Sequence, residues 1–145
     1  MRAVVQRVKT ASVTIADIAI AATAGGVVVL VGIASDDTAD TAERLAGKVA
    51  RLRIFENDEG RFDRSLLDVR GEALVVSQFT LIAETKKGNR PSFTSAAPME
   101  LAEPLYLTFC SALEAEGVRV ARGVFGARME ISLVNDGPVT IVLDA

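Results

Sequence analysis

The sequence predicts a single α+β domain in which two helices lie on a largely antiparallel or mixed β-sheet. Three observations carry that expectation. A chain of 145 residues fits one domain. Short runs rich in Val, Ile and Leu recur along it, while only two stretches carry apolar residues at helical spacing. The order is strands, helix, strands, helix, strands, without the regular β-α-β alternation of a doubly wound fold.

Each element has its own signal. Ala3 to Val8 reads as a strand, Ser12 to Ile15 as a second short one, and Ile18 to Ala22 as its hairpin partner. After the Gly25-Gly26 turn, Val27 to Ile33 is a continuous apolar run, typical of a strand buried on both faces. Thr38 to Leu52 carries Ala42, Leu45, Val49 and Leu52 at helical spacing, with Asp36 or Asp37 as its cap. Arg53-Ile54-Phe55 leads into Asn57-Asp58-Glu59-Gly60, a turn by composition. Ser65 to Asp68 is short and ambiguous. Glu72 to Phe79 reads as a strand with a buried middle, and Glu84 to Ser92 as a polar loop with concentrated positive charge. A second helix runs from Leu101 to Glu116, with Pro104 tolerable only in its first turn and Gly117 as its stop. Val118 to Val120, Ala127 to Val134 and Val139 to Leu143 read as three further strands. No repeat, linker or low-complexity stretch interrupts them.

Composition removes whole classes of chemistry. The chain has no histidine. That excludes Ser-His-Asp and Cys-His catalysis, most transition-metal sites and the usual general base near pH 7. The one cysteine, Cys110, leaves no internal disulfide or Cys-rich zinc site. It sits beside Phe109 and Leu113 on an apolar stripe and reads as a buried structural thiol. The net charge of -3 argues against non-specific binding along a duplex, while leaving room for a local basic patch that grips a strand end. No apolar run reaches the ~18 residues of a membrane span, and Gln6 and Arg7 stand where a signal peptide needs its apolar segment. A cytoplasmic protein with no membrane attachment is expected. Neither G-x-G-x-x-G nor a P-loop occurs, so no nucleotide cofactor is expected, and no metal. Chemistry is left to backbone groups, hydroxyls, amides, carboxylates, Lys and Arg, or the substrate itself.

Several residues then stand out, each with a plainer alternative. Ser77, Gln78, Phe79 and Thr80 end a buried strand with three polar side chains in four positions. This is either a strand running out into solvent or a set of hydrogen-bond partners for a polar ligand, with Phe79 offering a backbone N–H to an oxyanion. Asn135-Asp136-Gly137-Pro138 is by composition a trans turn before a strand. Arg7 is either an edge charge in solvent or a partly buried donor to backbone carbonyls. Lys86, Lys87 and Arg90 form a solvated loop or a phosphate clamp. Phe125 and Met129 read first as core.

Together these segments resemble the D-aminoacyl-tRNA deacylases. Met1 to Val8, Leu52 to Glu56, Ser65 to Val69, Leu74 to Leu81, Lys87 to Phe93, Phe125 to Met129 and Val134 to Thr140 match that family nearly end to end, in order and spacing. S-Q-F-T with N-x-G-P-V-T is the specific combination. Two places depart from the pattern. Ala16 to Ala24 is Ala-rich where the family has a hairpin with a Gly-containing turn, and Ile82 replaces a frequent aromatic.

The resemblance implies a barrel-like core, a homodimer, and hydrolysis of the ester joining a D-amino acid to the 3′-terminal adenosine of tRNA. It implies a site at Ser77, Gln78, Phe79 and Thr80. Gly137-Pro138 is implied to be a cis peptide that enters the partner subunit's pocket and rejects L-amino acids by backbone contact at the chiral carbon, with leakage towards glycyl-tRNA. Arg7 anchors that loop, Asn135 accompanies it, Met129 and Phe125 wall the pocket, and Lys86, Lys87 and Arg90 meet phosphates of the acceptor end. Two routes remain open: attack by the Thr80 hydroxyl, or a route assisted by the ribose 2′-hydroxyl. The second is preferred because Thr80 lacks an imidazole partner. The rivals are a nucleic-acid-binding module without hydrolysis and a small-ester hydrolase using Thr80.

Overall fold

The computed structural model describes residues 1–145. In chain order the elements are β1 (Arg2–Ile15), β2 (Ile18–Thr23), β3 (Gly26–Gly32), α1 (Ala39–Arg51), β4 (Phe55–Glu56), β5 (Phe62–Arg64), β6 (Glu72–Ser77), a 3-10 turn (Phe79–Ile82), α2 (Met99–Ala115), β7 (Arg119–Arg122) and β8 (Glu130–Asp144).

β1 is the spine. Along one edge its first half pairs antiparallel with β3 and its second half with β2; along the other edge it pairs with β8. β3, β6 and β7 then run parallel. Parallel neighbours need crossovers, and α1 and α2 supply them, packed against each other over one face of the sheet. The sheet is therefore mixed, and it curls into a nearly closed barrel as β2 folds over towards β6 and β7.

Alternation along the strands splits the core in two. Val27, Val29 and Val31 face the helices and meet Leu45, Val49, Phe109 and Leu113. Val28, Leu74 and Val76 face the inside of the curl with Val8 and Val13. Burial on both faces explains why β3 and β6 read as uninterrupted apolar runs.

Several local expectations are corrected. Ala3 to Val8 and Ser12 to Ile15 are one strand, because the ladder to β8 continues across Thr10. Thr38, not Asp36 or Asp37, caps α1, in a reciprocal box with Thr41. Asp37 is instead occupied by the Met1 ammonium and the Ala34 N–H. β6 stops at Ser77, so Phe79 and Thr80 lie in the 3-10 turn. α2 begins at Met99, which places Pro104 in the second turn and forfeits the bond to the Glu100 carbonyl. Its end follows expectation: Gly117 takes a φ of 101°, its N–H bonds to Glu114, and Val118 bonds to Leu113, as in a Schellman motif. The Ala-rich hairpin also forms, with Ala16 and Asp17 both at positive φ. Neither helix is long and apolar enough to cross a membrane.

Candidate active site

The chain leaves the sheet just after β6. The Gln78 N–H still bonds to the Val31 carbonyl at 2.8 Å, and the next residues wind into the Phe79–Ile82 turn. Gly32 makes room for this turn, since a Cβ there would lie 2.9 Å from Leu81 Cβ and 3.0 Å from the Gln78 carbonyl. Ile82 rests over the same glycine. Gln78 occupies the N-cap, and no side chain caps the turn. The leading N–H groups, those of Phe79 and Thr80, are the ones a helical turn leaves unpaired, so they are available to an external oxygen.

Beside this turn lies a mostly apolar cavity of about 590 Å³. Ser77, Gln78 and Phe79 form one wall, Pro98, Met99 and Ala102 at the start of α2 another, and Phe125, Gly126, Ala127, Met129 and Ile131 the third. Thr80 adjoins the cavity without lining it. It is exposed, and its hydroxyl oxygen accepts from the Gln78 amide at 2.5 Å. That contact draws density from the oxygen, and no carboxylate or amine bonds to the hydroxyl to activate it.

The basic loop is tied to the same turn. Phe93 packs edge-on against Phe79 at 5.0 Å, and paired backbone bonds between Glu84 and Ser92 close the loop. Lys86 lies 3.6 Å from Glu84. Lys87 and Arg90 are exposed and in no ion pair, as is Arg128, between the cavity-lining Ala127 and Met129. Arg128 was missed from sequence because a lone arginine before a strand has no pattern to betray it.

A second constellation forms on β1 and β8. Gln6 pairs with Thr140 and Val8 with Asn135, so a two-residue step on β1 faces a five-residue step on β8. Asp136-Gly137-Pro138-Val139 is extruded as a bulge inside one strand, rather than forming a turn between two. The Gly137-Pro138 peptide is cis, and Gly137 has a φ of 130°. A Cβ on Gly137 would meet Val139 Cγ2 at 2.8 Å and Arg7 Nη2 at 3.1 Å. Arg7 is buried directly beneath the bulge. Its Nε donates to the Asp136 carbonyl at 3.0 Å and its Nη1 to the Ile54 carbonyl at 2.7 Å. The Glu56 and Asp136 carboxylates each stand 3.6 Å away, and the Phe62 ring lies 5.5 Å from the guanidinium carbon. Of the two readings of Arg7, the buried donor is the one observed.

The family model for D-Tyr-tRNA(Tyr) deacylase matches residues 4–144. The chain belongs to the D-Tyr-tRNA(Tyr) deacylase family. Proteins named D-aminoacyl-tRNA deacylase from Chloroflexus aurantiacus and Deinococcus radiodurans are 57% and 54% identical, over 100% and 99% of this chain and 91% and 99% of theirs. A solved structure described as a c-Myc DNA unwinding element binding protein superposes with a TM-score of 0.94 at 43% identity, covering 100% of this chain and 99% of its own. A probable eukaryotic D-amino acid tRNA deacylase has the same fold, with a TM-score of 0.88 at 21% identity over 99% of this chain and 98% of its own. Family membership makes the chain a hydrolase of the D-aminoacyl-tRNA deacylase type.

In this deacylase the candidate residues fall into three places. Ser77, Gln78, Phe79, Phe125 and Met129 share the cavity, with Thr80 at its edge. Lys86, Lys87 and Arg90 stand on the loop beside it. Arg7, Asn135, Gly137 and Pro138 line no part of it. Cys110 is fully buried, and burial raises its thiol to about 11, as suits a structural cysteine. No three His, Cys, Asp or Glu side chains come together as a metal-ligating group.

Proposed function

We propose that this deacylase hydrolyses the ester between a D-amino acid and the 3′-terminal adenosine of tRNA, acting in the cytoplasm as a homodimer. The observation that carries the reading is the uncapped 3-10 turn at the edge of an apolar cavity, which offers backbone N–H donors where an ester carbonyl becomes an oxyanion. An aminoacyl ester is already activated, so backbone stabilisation and a neighbouring hydroxyl suffice. Water adds to the carbonyl carbon, and the Phe79 and Thr80 N–H groups hold the oxyanion. The adjacent 2′-hydroxyl relays the water's proton to the departing 3′-oxygen. The C–O3′ bond breaks, leaving the free amino acid and the tRNA 3′-hydroxyl.

Selection acts at the α-carbon. The Gly137-Pro138 bulge lines nothing in its own subunit's cavity, so in this reading it completes the cavity of the second copy. Backbone atoms there accept a D-amino acid's ammonium and exclude an L side chain, and glycine, with no side chain to exclude, is also hydrolysed. Lys86, Lys87 and Arg90, with the exposed Arg128 between the cavity-lining Ala127 and Met129, meet a few acceptor-end phosphates, which is compatible with an acidic chain.

The test is a deacylation time course on matched D-Tyr-tRNA and L-Tyr-tRNA with chelator present. Loss of the D ester alone is expected. Equal loss of both esters means a non-selective esterase and removes the bulge from selection. Loss of neither favours nucleic-acid binding without hydrolysis, the second reading, to which the likeness to a DNA-unwinding-element binding protein lends weight.

A further inference from the structure

We infer that Phe62, on the β4–β5 hairpin, is a positioning residue for specificity: it holds Arg7 against the Gly137-Pro138 bulge and so sets discrimination between D- and L-aminoacyl esters. The inference rests on the reading that this bulge meets the substrate's α-carbon.

The hairpin is a separate two-stranded sheet with no ladder to the main one. Its polar groups are satisfied internally. Asn57 accepts from the Glu59 and Arg61 N–H groups at 2.9 and 3.1 Å, Arg64 binds Asp58 at 2.8 Å, and Arg53 binds Asp63. To β1 this segment presents the Ile54 carbonyl, the Glu56 carboxylate and the Phe62 ring, and all three converge on the Arg7 guanidinium. Asp136 of the bulge holds the same group from the other strand.

These contacts differ in kind. Ile54 and Asp136 take N–H groups along the guanidinium edge, whereas Phe62 offers a ring within cation–π range. Phe62 is 51% exposed and joins neither apolar cluster, so core packing does not explain its position. Two carboxylates flank the one cation at different nitrogens, Glu56 at 3.6 Å from Nη2 and Asp136 at 3.6 Å from Nε. Without the ring, Arg7 is freer to lean towards Glu56 and release Asp136. The bulge above it, where a Cβ on Gly137 would lie only 3.1 Å from Arg7 Nη2, then loses its floor.

The experiment compares Phe62→Leu, which keeps apolar bulk without a π face, with Phe62→Trp, which keeps the face. The readout is the ratio of kcat/KM on D-Tyr-tRNA to that on L-Tyr-tRNA. Phe62→Leu should lower the ratio about three- to tenfold, in line with one lost cation–π contact. Phe62→Trp should retain it, and adding Glu56→Gln to Phe62→Leu should recover part of it. Gly137→Ala serves as the loop control, since its Cβ displaces the bulge. A lost ratio in Gly137→Ala with a wild-type ratio in Phe62→Leu overturns the role of Phe62 alone. An unchanged ratio in both overturns the bulge reading and this inference with it. A lower melting temperature with both rates falling together, the ratio fixed, reduces Phe62 to a structural residue and also overturns the proposal.

Discussion

At the scale of single residues, the site depends on which atoms remain unpaired. Attack by Thr80 is one of the two routes the family resemblance leaves open, but its oxygen accepts from Gln78 and no base stands beside it. In the proposed mechanism the group used is its backbone N–H, at the head of an uncapped turn. Thr80→Ala is therefore expected to deacylate D-Tyr-tRNA within about tenfold of wild type, a barrier change near 1.4 kcal/mol. A folded Thr80→Ala protein that still bound substrate but had lost on the order of a thousandfold or more in kcat, the scale of a missing nucleophile, would refute the RNA-assisted route. Arg7 shows the same principle from the other side. A buried guanidinium is tolerated because carbonyls and carboxylates surround it, and Lys at that position could not reproduce the planar set of contacts.

At the scale of elements, departures from ideal geometry are informative. The β1–β2 hairpin turns through Ala16 and Asp17, at φ of 48° and 64°. A two-residue turn with both centres left-handed favours Asn-Gly, because a Cβ is costly there. The double change Ala16→Asn, Asp17→Gly should stabilise the protein by about 1 kcal/mol, raising Tm by about 3 °C. Thermal unfolding followed by circular dichroism checks this, and an unchanged or lower Tm would mean that the turn is not the weak point. The β8 bulge is the opposite case. Composition marks it as a turn between strands at Ala127 to Val134 and Val139 to Leu143, whereas one strand runs from Glu130 to Asp144. That both halves belong to one strand depends on the β1 register, which sequence does not contain.

At the scale of the whole molecule, pH acts through two buried neutral groups and a set of bonded carboxylates. Burial raises Cys110 from its ordinary 9.0 to about 11, and burial likewise raises Tyr106, whose hydroxyl donates to the Val75 carbonyl. Both are acids whose folded values exceed the unfolded ones. The Cys110 contribution is complete below pH 9 and is lost as pH rises towards about 11, while that of Tyr106 begins to be lost only above its ordinary 10.0. Tm should therefore fall as pH is raised from 9 to 11, less steeply in a Cys110→Ala protein; a flat profile would exclude this coupling. On the acid side, the Thr23 hydroxyl lowers Glu72, the Ser65 hydroxyl lowers Asp68, and Arg2 lowers Asp144. Their support holds above the ordinary carboxylate range and fades as pH falls through the lowered values.

Composition and periodicity alone determined a good deal. They gave one α+β domain, two helices, a buried inert thiol at Cys110 and chemistry without histidine. These depend on side-chain type and short-range spacing, which a linear string carries directly. The motifs around Ser77 and Gly137 also stood out locally. Tertiary structure decided what they do together. The parallel pairing of β3, β6 and β7 brought Ser77 to Phe79 alongside the start of α2 and the Phe125–Ile131 segment around one cavity. The register of β8 against β1 extruded Gly137-Pro138 over Arg7, away from that cavity, and the hairpin brought Phe62 and Glu56 to the same guanidinium. Such contacts join residues dozens of positions apart. Chain closure and strand register place them, and neither leaves a local mark on the sequence.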